Sequence, residues 1–161
     1  CCKKNCVLLF FLKVLKPELK LQEGEVVDAS VLSKKALRSF FAEQFESCAQ
    51  IKIDVQALLE NGSIQGAFLV GYTYIRKSAT LLLYCKGVRP TARGGHRVII
   101  DALGLDPQVS KELTENFDEF RMKRNSIEYP DFAIQEVDLT SVYRCIEIGD
   151  QLLAIAQSIN S

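Results

Sequence analysis

Apolar residues recur along this chain at steps of three and four, the spacing that lines one face of an α-helix. From Ser30 onward the pattern is helical throughout. Ala36, Leu37, Phe40, Phe41, Phe45, Cys48 and Ala49 make one stripe after Ser33, and Ile51, Val55, Leu58 and Leu59 extend it. Asn61-Gly62 stops it, because glycine tolerates the left-handed backbone that ends helices. Ser63 then stands as an N-cap for a second helix with Ile64, Phe68, Tyr72, Ile75, Ala79 and Leu82 on its stripe. Ala67, Tyr74, Leu81 and Cys85 widen that stripe, which marks the helix as central. Gly87 and Pro90 end it.

Gly94-Gly95 opens a shorter helix with Val98, Ile99, Ala102 and Leu103 as its apolar positions, closing at Gly104. Pro107 suits the first turn of the next helix, which runs to about Tyr129 because Pro130 disfavours helical geometry in the residue before it. Asp138 then caps a last helix carrying Leu139, Val142, Tyr143, Ile146, Leu152, Leu153, Ala156 and Ile159. Polar/apolar alternation is too short anywhere to predict a strand. The pattern predicts an all-α, up-and-down bundle of four long helices plus one short helix, over residues 30–161.

Residues 1–29 read as an N-terminal extension. Val7 to Leu12 is a six-residue apolar run, against the roughly 20 residues needed to span a bilayer. Lys13 and Lys16 follow it with no small-residue cleavage site, so it is expected to be a short element or tail packed on the domain. No membrane role is expected.

Composition changes the picture little. The chain has 161 residues, 48% of them hydrophobic, enough for one domain with one core. Its formal net charge is zero, so any contact with nucleic acid must come from a local patch. Cys1, Cys2, Cys6, Cys48, Cys85 and Cys145 form no Cys-x-x-Cys pair, and His96 is the only histidine. A Cys/His zinc site is therefore not expected, nor any other metal or cofactor. The thiols read as reduced and the compartment as cytoplasmic.

Two local features carry chemistry. On the wheel of the helix before Pro130, Val109, Leu113, Phe117, Phe120 and Ile127 share an apolar stripe, and Arg124 falls within it. Arg121 and Glu128 flank the stripe; Asn125 and Tyr129 point further round, Tyr129 about 140° from Arg124. A guanidinium on a buried stripe requires a carboxylate, a partner chain or a phosphate. One reading pairs Arg124 with Glu128 one turn on. The other makes it a functional arginine at a surface shared with a second chain. The second feature is the stretch from Lys86 to Arg97, where Lys86, Arg89, Arg93 and Arg97 occur with no acidic residue among them. It leads through Gly94-Gly95 into a helix N-terminus, where backbone N–H groups favour an anion. His96 there is either a packing or capping residue or a catalytic one.

These pieces resemble the HEPN family of helical domains over roughly residues 30–159. The likeness rests on Ala57-Leu58-Leu59 before the tyrosine-rich helix, on Gly95-His96-Arg97 opening a short helix, and on Arg124-Asn125-Ser126-Ile127-Glu128-Tyr129. The resemblance implies a bundle that homodimerises through its motif-bearing helices. Many members are metal-independent ribonucleases of toxin–antitoxin and defence systems, often beside a small nucleotidyltransferase, with an arginine and a histidine separated by four to six residues. Carried over, Arg124 matches the motif arginine, Asn125 the polar residue that often follows, and Tyr129 stands in place of the histidine. A tyrosine, with an ordinary pKa near 10, is a weak base at pH 7 but can donate a hydrogen bond or stack on a base. Two functions follow as expectations. In one, Arg124, Asn125 and Tyr129 act in a metal-independent endoribonuclease, with Arg121, Arg89, Arg93, His96 and Arg97 holding RNA or nucleotide phosphate. In the other, the same groove is a non-catalytic module partnering a nucleotidyltransferase.

Overall fold

The computed structural model describes residues 34–88, 95–129 and 136–160. The expected extension over residues 1–29 lies outside them. Five helices account for most of the described residues, and no strand occurs among these: α1 (Lys34–Glu60), α2 (Ile64–Cys85), α3 (Gly95–Gly104), α4 (Lys111–Glu128) and α5 (Leu139–Asn160). The chain is all-α. No helix among the described residues is long and apolar enough to cross a membrane.

The helix ends follow local chemistry. After α1, Ser63 N–H donates to Leu58 O at 2.9 Å and Gly62 N–H to Leu59 O at 2.9 Å, with Gly62 at φ 74°. This pair of bonds is the Schellman termination, and the left-handed residue it requires is the glycine. The same pair closes α2, from Val88 N–H to Leu83 O and from Gly87 N–H to Tyr84 O. At the start of α5, Asp138 accepts from Ser141 N–H at 2.8 Å and from Ser141 Oγ at 2.7 Å, as its capping position requires. These two bonds, the hydroxyl's first, hold the Asp138 carboxyl below its ordinary range. Ser63 occupies the N-cap position of α2, but its hydroxyl makes no capping bond.

The start of α4 differs from the sequence expectation. Pro107 is not in the helix; α4 begins at Lys111, with Ser110 Oγ accepting from Leu113 N–H at 3.2 Å. The preceding residues are held in a turn by Asp106, whose carboxylate accepts from Gln108 N–H at 3.0 Å and whose carbonyl accepts from Val109 N–H at 3.0 Å. An aspartate that bonds its own backbone two residues on competes with helix, and here it wins. Asp106 is buried and paired with Lys86 at 2.5 Å, which ties the end of α2 to this turn.

Helix α2 is the centre of the fold. α1, α3, α4 and α5 all pack against it. Its two apolar faces explain this: Phe68, Tyr72, Ile75, Ala79 and Leu82 enter the main core with Leu103, Phe117, Ile148 and Leu152. Tyr74 and Leu81 enter a second cluster with Cys48 of α1. Each such large apolar side chain contributes about 1.5–3 kcal/mol on burial. Tyr74 crosses to α5, where its hydroxyl donates to Asp150 Oδ1 at 2.7 Å; Lys52 of α1 reaches the same carboxylate at 2.7 Å. Burial, then the Asp150 carboxylate, raises the Tyr74 pKa, so this phenol remains a donor.

Candidate functional site

Helix α4 carries the motif segment. Leu113, Phe117 and Phe120 are buried on its inner face, and Arg124 follows one turn after Phe120. The Arg124 side chain keeps 27% of its surface exposed. Its guanidinium lies 5.8 Å from the centroid of the Tyr72 ring, within cation–π range. Its Nη2 donates to Glu128 at 2.6 Å and 2.7 Å from the two carboxylate oxygens. Of the two sequence readings of Arg124, the ion pair one turn along is therefore present. A pair this open to water contributes little stability, about 0–1 kcal/mol. Asn125 Oδ1 lies 3.5 Å from Arg124 Nη1, the long limit of a hydrogen bond.

His96 comes to the same place from α3. It sits in the first turn of that helix, and its Nδ1 is 2.8 Å from the Tyr72 hydroxyl. The two rings are tilted against each other at 5.5 Å. Arg76, one turn beyond Tyr72 on α2, places Nη1 3.5 Å from His96 Nε2. Tyr72 is thus the hub: it is buried, packs on Phe117 at 5.7 Å, bonds the histidine and lies under Arg124. Burial pushes the Tyr72 pKa up to about 12 against the opposing pull of Arg124, Arg121 and Arg76, so the phenol is neutral at pH 7. Burial first, then the charges of Arg76 and Arg124, lowers the His96 pKa, with Glu128 opposing them. The imidazole is neutral at pH 7.

Around this hub the charges alternate. Asp118 accepts from Arg121 Nε at 2.7 Å and from Arg97 Nη1 at 2.8 Å, and Arg97 also holds Asp101 at 2.9 Å. Arg97, at the end of the stretch that is free of acids in sequence, thus meets carboxylates from α3 and α4. Among the described residues, Arg97, Arg121 and Arg124 each have a carboxylate partner, while Arg76 has none.

The structure brings together Arg121, Arg124, Asn125, His96 and Arg97 from the expected set. It does not bring in Tyr129, which caps the end of α4 and is 62% exposed. Arg89 and Arg93 lie outside the described residues. Tyr72 and Arg76 were missed. Tyr72 has the spacing of a core residue, which it also is. Arg76 carried a signal: with Lys77 it forms the only charged pair between Ile64 and Cys85, on an otherwise apolar helix.

The arrangement offers guanidinium groups for an anion and a neutral imidazole able to accept a proton beside them. Among the described residues, no group of three His, Cys, Asp or Glu side chains is placed to hold a metal ion. Comparison with protein-family models, curated proteins and solved structures finds no match to this chain.

Proposed function

We propose that this chain is a HEPN-like domain, an up-and-down bundle of four long helices and one short one. It binds RNA or nucleotide phosphate through Arg124 and its neighbours and works as a homodimer in a cytoplasmic toxin–antitoxin or defence-type system. The observation that supports this best is the meeting of Arg124 and His96 on the Tyr72 ring. The resemblance to the family leaves the motif without its histidine at position 129. His96 supplies an imidazole from another helix.

With these groups the reading extends to metal-independent RNA cleavage. The substrate's 2′-hydroxyl oxygen attacks the adjacent phosphorus and the bond to the 5′-oxygen breaks. His96 takes the proton leaving the 2′-hydroxyl and, as the imidazolium, returns it to the departing 5′-oxygen, so no co-reactant is consumed. Arginines hold the phosphate and the charge that grows on it. The test is incubation of purified protein with structured and unstructured RNAs in EDTA. Cleavage that disappears in Arg124→Ala and in His96→Ala supports the enzyme. RNA that stays intact under all conditions while still binding removes the catalytic part.

One observation favours the second reading, a non-catalytic module that partners a nucleotidyltransferase. Glu128 already satisfies Arg124 with two short contacts. Under this reading, RNA is neither cut nor bound, and a nucleotidyltransferase co-purifies with the wild-type chain but not with Arg124→Ala.

A further inference from the structure

Arg76 stands apart from the other cations of the site. Its guanidinium points at a ring nitrogen, and among the described residues no carboxylate meets it. Arginine has only N–H donors, so a favourable contact with His96 Nε2 requires a lone pair on that nitrogen. The proton of the neutral ring then lies on Nδ1, which donates to the Tyr72 hydroxyl at 2.8 Å. The opposite tautomer would set an N–H of the ring against an N–H of Arg76. Tyr72 is buried and packs on Phe117.

We infer that Arg76 is an anion-binding residue of this site, parked on the His96 Nε2 lone pair until a phosphoryl oxygen draws it away, with Tyr72 as the residue that positions the imidazole. The inference rests on the phosphate-binding reading above and assigns the cation that receives the ligand first. Arg124, Arg121 and Arg97 must each give up or share a carboxylate to bind an anion. Arg76 gives up only a long contact to a neutral ring. Its release also uncovers Nε2, so ligand binding and exposure of the base are one event. The groups facing His96 are Tyr72 and Arg76 from α2, and Arg121, Arg124 and Glu128 from α4.

The single histidine makes this testable by NMR without assignment of the rest. The full chain, free of any histidine tag, is labelled with ¹⁵N-histidine and its ring nitrogens are followed. The expected ligand-free spectrum is that of the Nδ1–H tautomer. Inorganic phosphate, or uridine 3′-monophosphate, shifts the Nε2 signal and raises the titration midpoint of the ring. Arg76→Gln raises the midpoint already in the ligand-free chain, because a nearby positive charge is gone. It weakens uridine 3′-monophosphate binding at least about tenfold, the loss of one hydrogen bond to a charged group. Arg76→Lys, which retains the charge but not the planar fork, keeps a lowered midpoint and regains part of the affinity. Tyr72→Phe removes the bond that fixes the ring and mixes the two tautomers.

An Nε2–H tautomer in the free wild-type chain overturns the inference. So does wild-type affinity in folded Arg76→Gln. If binding then still depends on Arg124, the phosphate-binding function stands and only the role of Arg76 falls. If neither probe binds wild type or moves the ring signals, both fall.

Discussion

Replacing Gly149 by alanine tests a close contact between α2 and α5. Gly149 is buried on α5 against the edge of the Tyr74 ring. A methyl group there would overlap Cδ1 and Cε1 of Tyr74 and lie 3.1 Å from Cζ. The ring has little freedom to move, since it is buried and its hydroxyl is bonded to Asp150, the residue after Gly149. Relief must come from separating α2 and α5 or from twisting the ring off Asp150. Overpacking of this kind costs about 1–3 kcal/mol, and losing the Tyr74–Asp150 bond adds about 0.5–1.5 kcal/mol. Alanine returns about 1 kcal/mol through its better helix propensity. The net expectation is destabilisation by about 2 kcal/mol, or a Tm lower by about 4–8 °C for a chain of this size. Gly104→Ala is the control: at the end of α3, its new methyl meets nothing within 4 Å. That variant should be neutral or more stable by up to about 1 kcal/mol. Urea unfolding followed by far-UV circular dichroism reads both. If Gly149→Ala unfolds at the wild-type midpoint or above it, the α2–α5 packing described here is wrong.

Four further outcomes follow from the structure. Ser110→Ala removes a capping bond and should cost about 0.5–2 kcal/mol, whereas Ser63→Ala, whose hydroxyl caps nothing, should stay within about 0.5 kcal/mol in the same urea assay. Phe117→Ala opens a cavity beneath Tyr72 and should cost about 3–5 kcal/mol, with loss of the Nδ1–H preference of His96 by NMR. The folded His96 pKa lies below its ordinary 6.5, so the unfolded chain binds the extra proton once pH drops through that value; this contribution is full above pH 6.5 and is lost as pH falls below it. His96→Gln should therefore flatten the acid side of a plot of stability against pH, and an unchanged slope would contradict the half-buried, arginine-flanked imidazole. Burial raises the thiol pKa of Cys48 and Cys145, and that of Cys85 to about 11, so iodoacetamide at pH 7.5 should leave all three unmodified in native protein and modify them in urea, as mapped by mass spectrometry.

Much of this architecture is written into local sequence. Asn61-Gly62 and Gly87 end helices because a left-handed residue is needed there, and glycine is the residue that adopts it freely. Asp138 caps α5 through its own side chain. The breadth of the apolar stripe from Ile64 to Cys85 marks α2 as central, since a helix with two apolar faces must be covered on both. The pairing of Arg124 with Glu128 is likewise a property of one helix turn. Pro107 was misplaced because its suitability for a first helical turn is a preference, whereas Asp106 is buried and committed to the turn by Lys86, a contact from a distant helix.

The candidate site is of the second kind. Tyr72 and Arg76 lie on α2, His96 opens α3 and Arg124 ends α4, and no spacing along the chain relates them. Periodicity states which face of a helix is buried. It does not state how far one helix slides along another or at what angle they cross. Those two quantities set the 2.8 Å between Tyr72 and His96 and bring Arg124 over the same ring. Residue order is enough for an all-helical chain, most of its helix ends and the anomaly of an arginine on an apolar stripe. That the sole histidine stands beside that arginine follows from packing, because α2 is the surface on which α3 and α4 both come to rest.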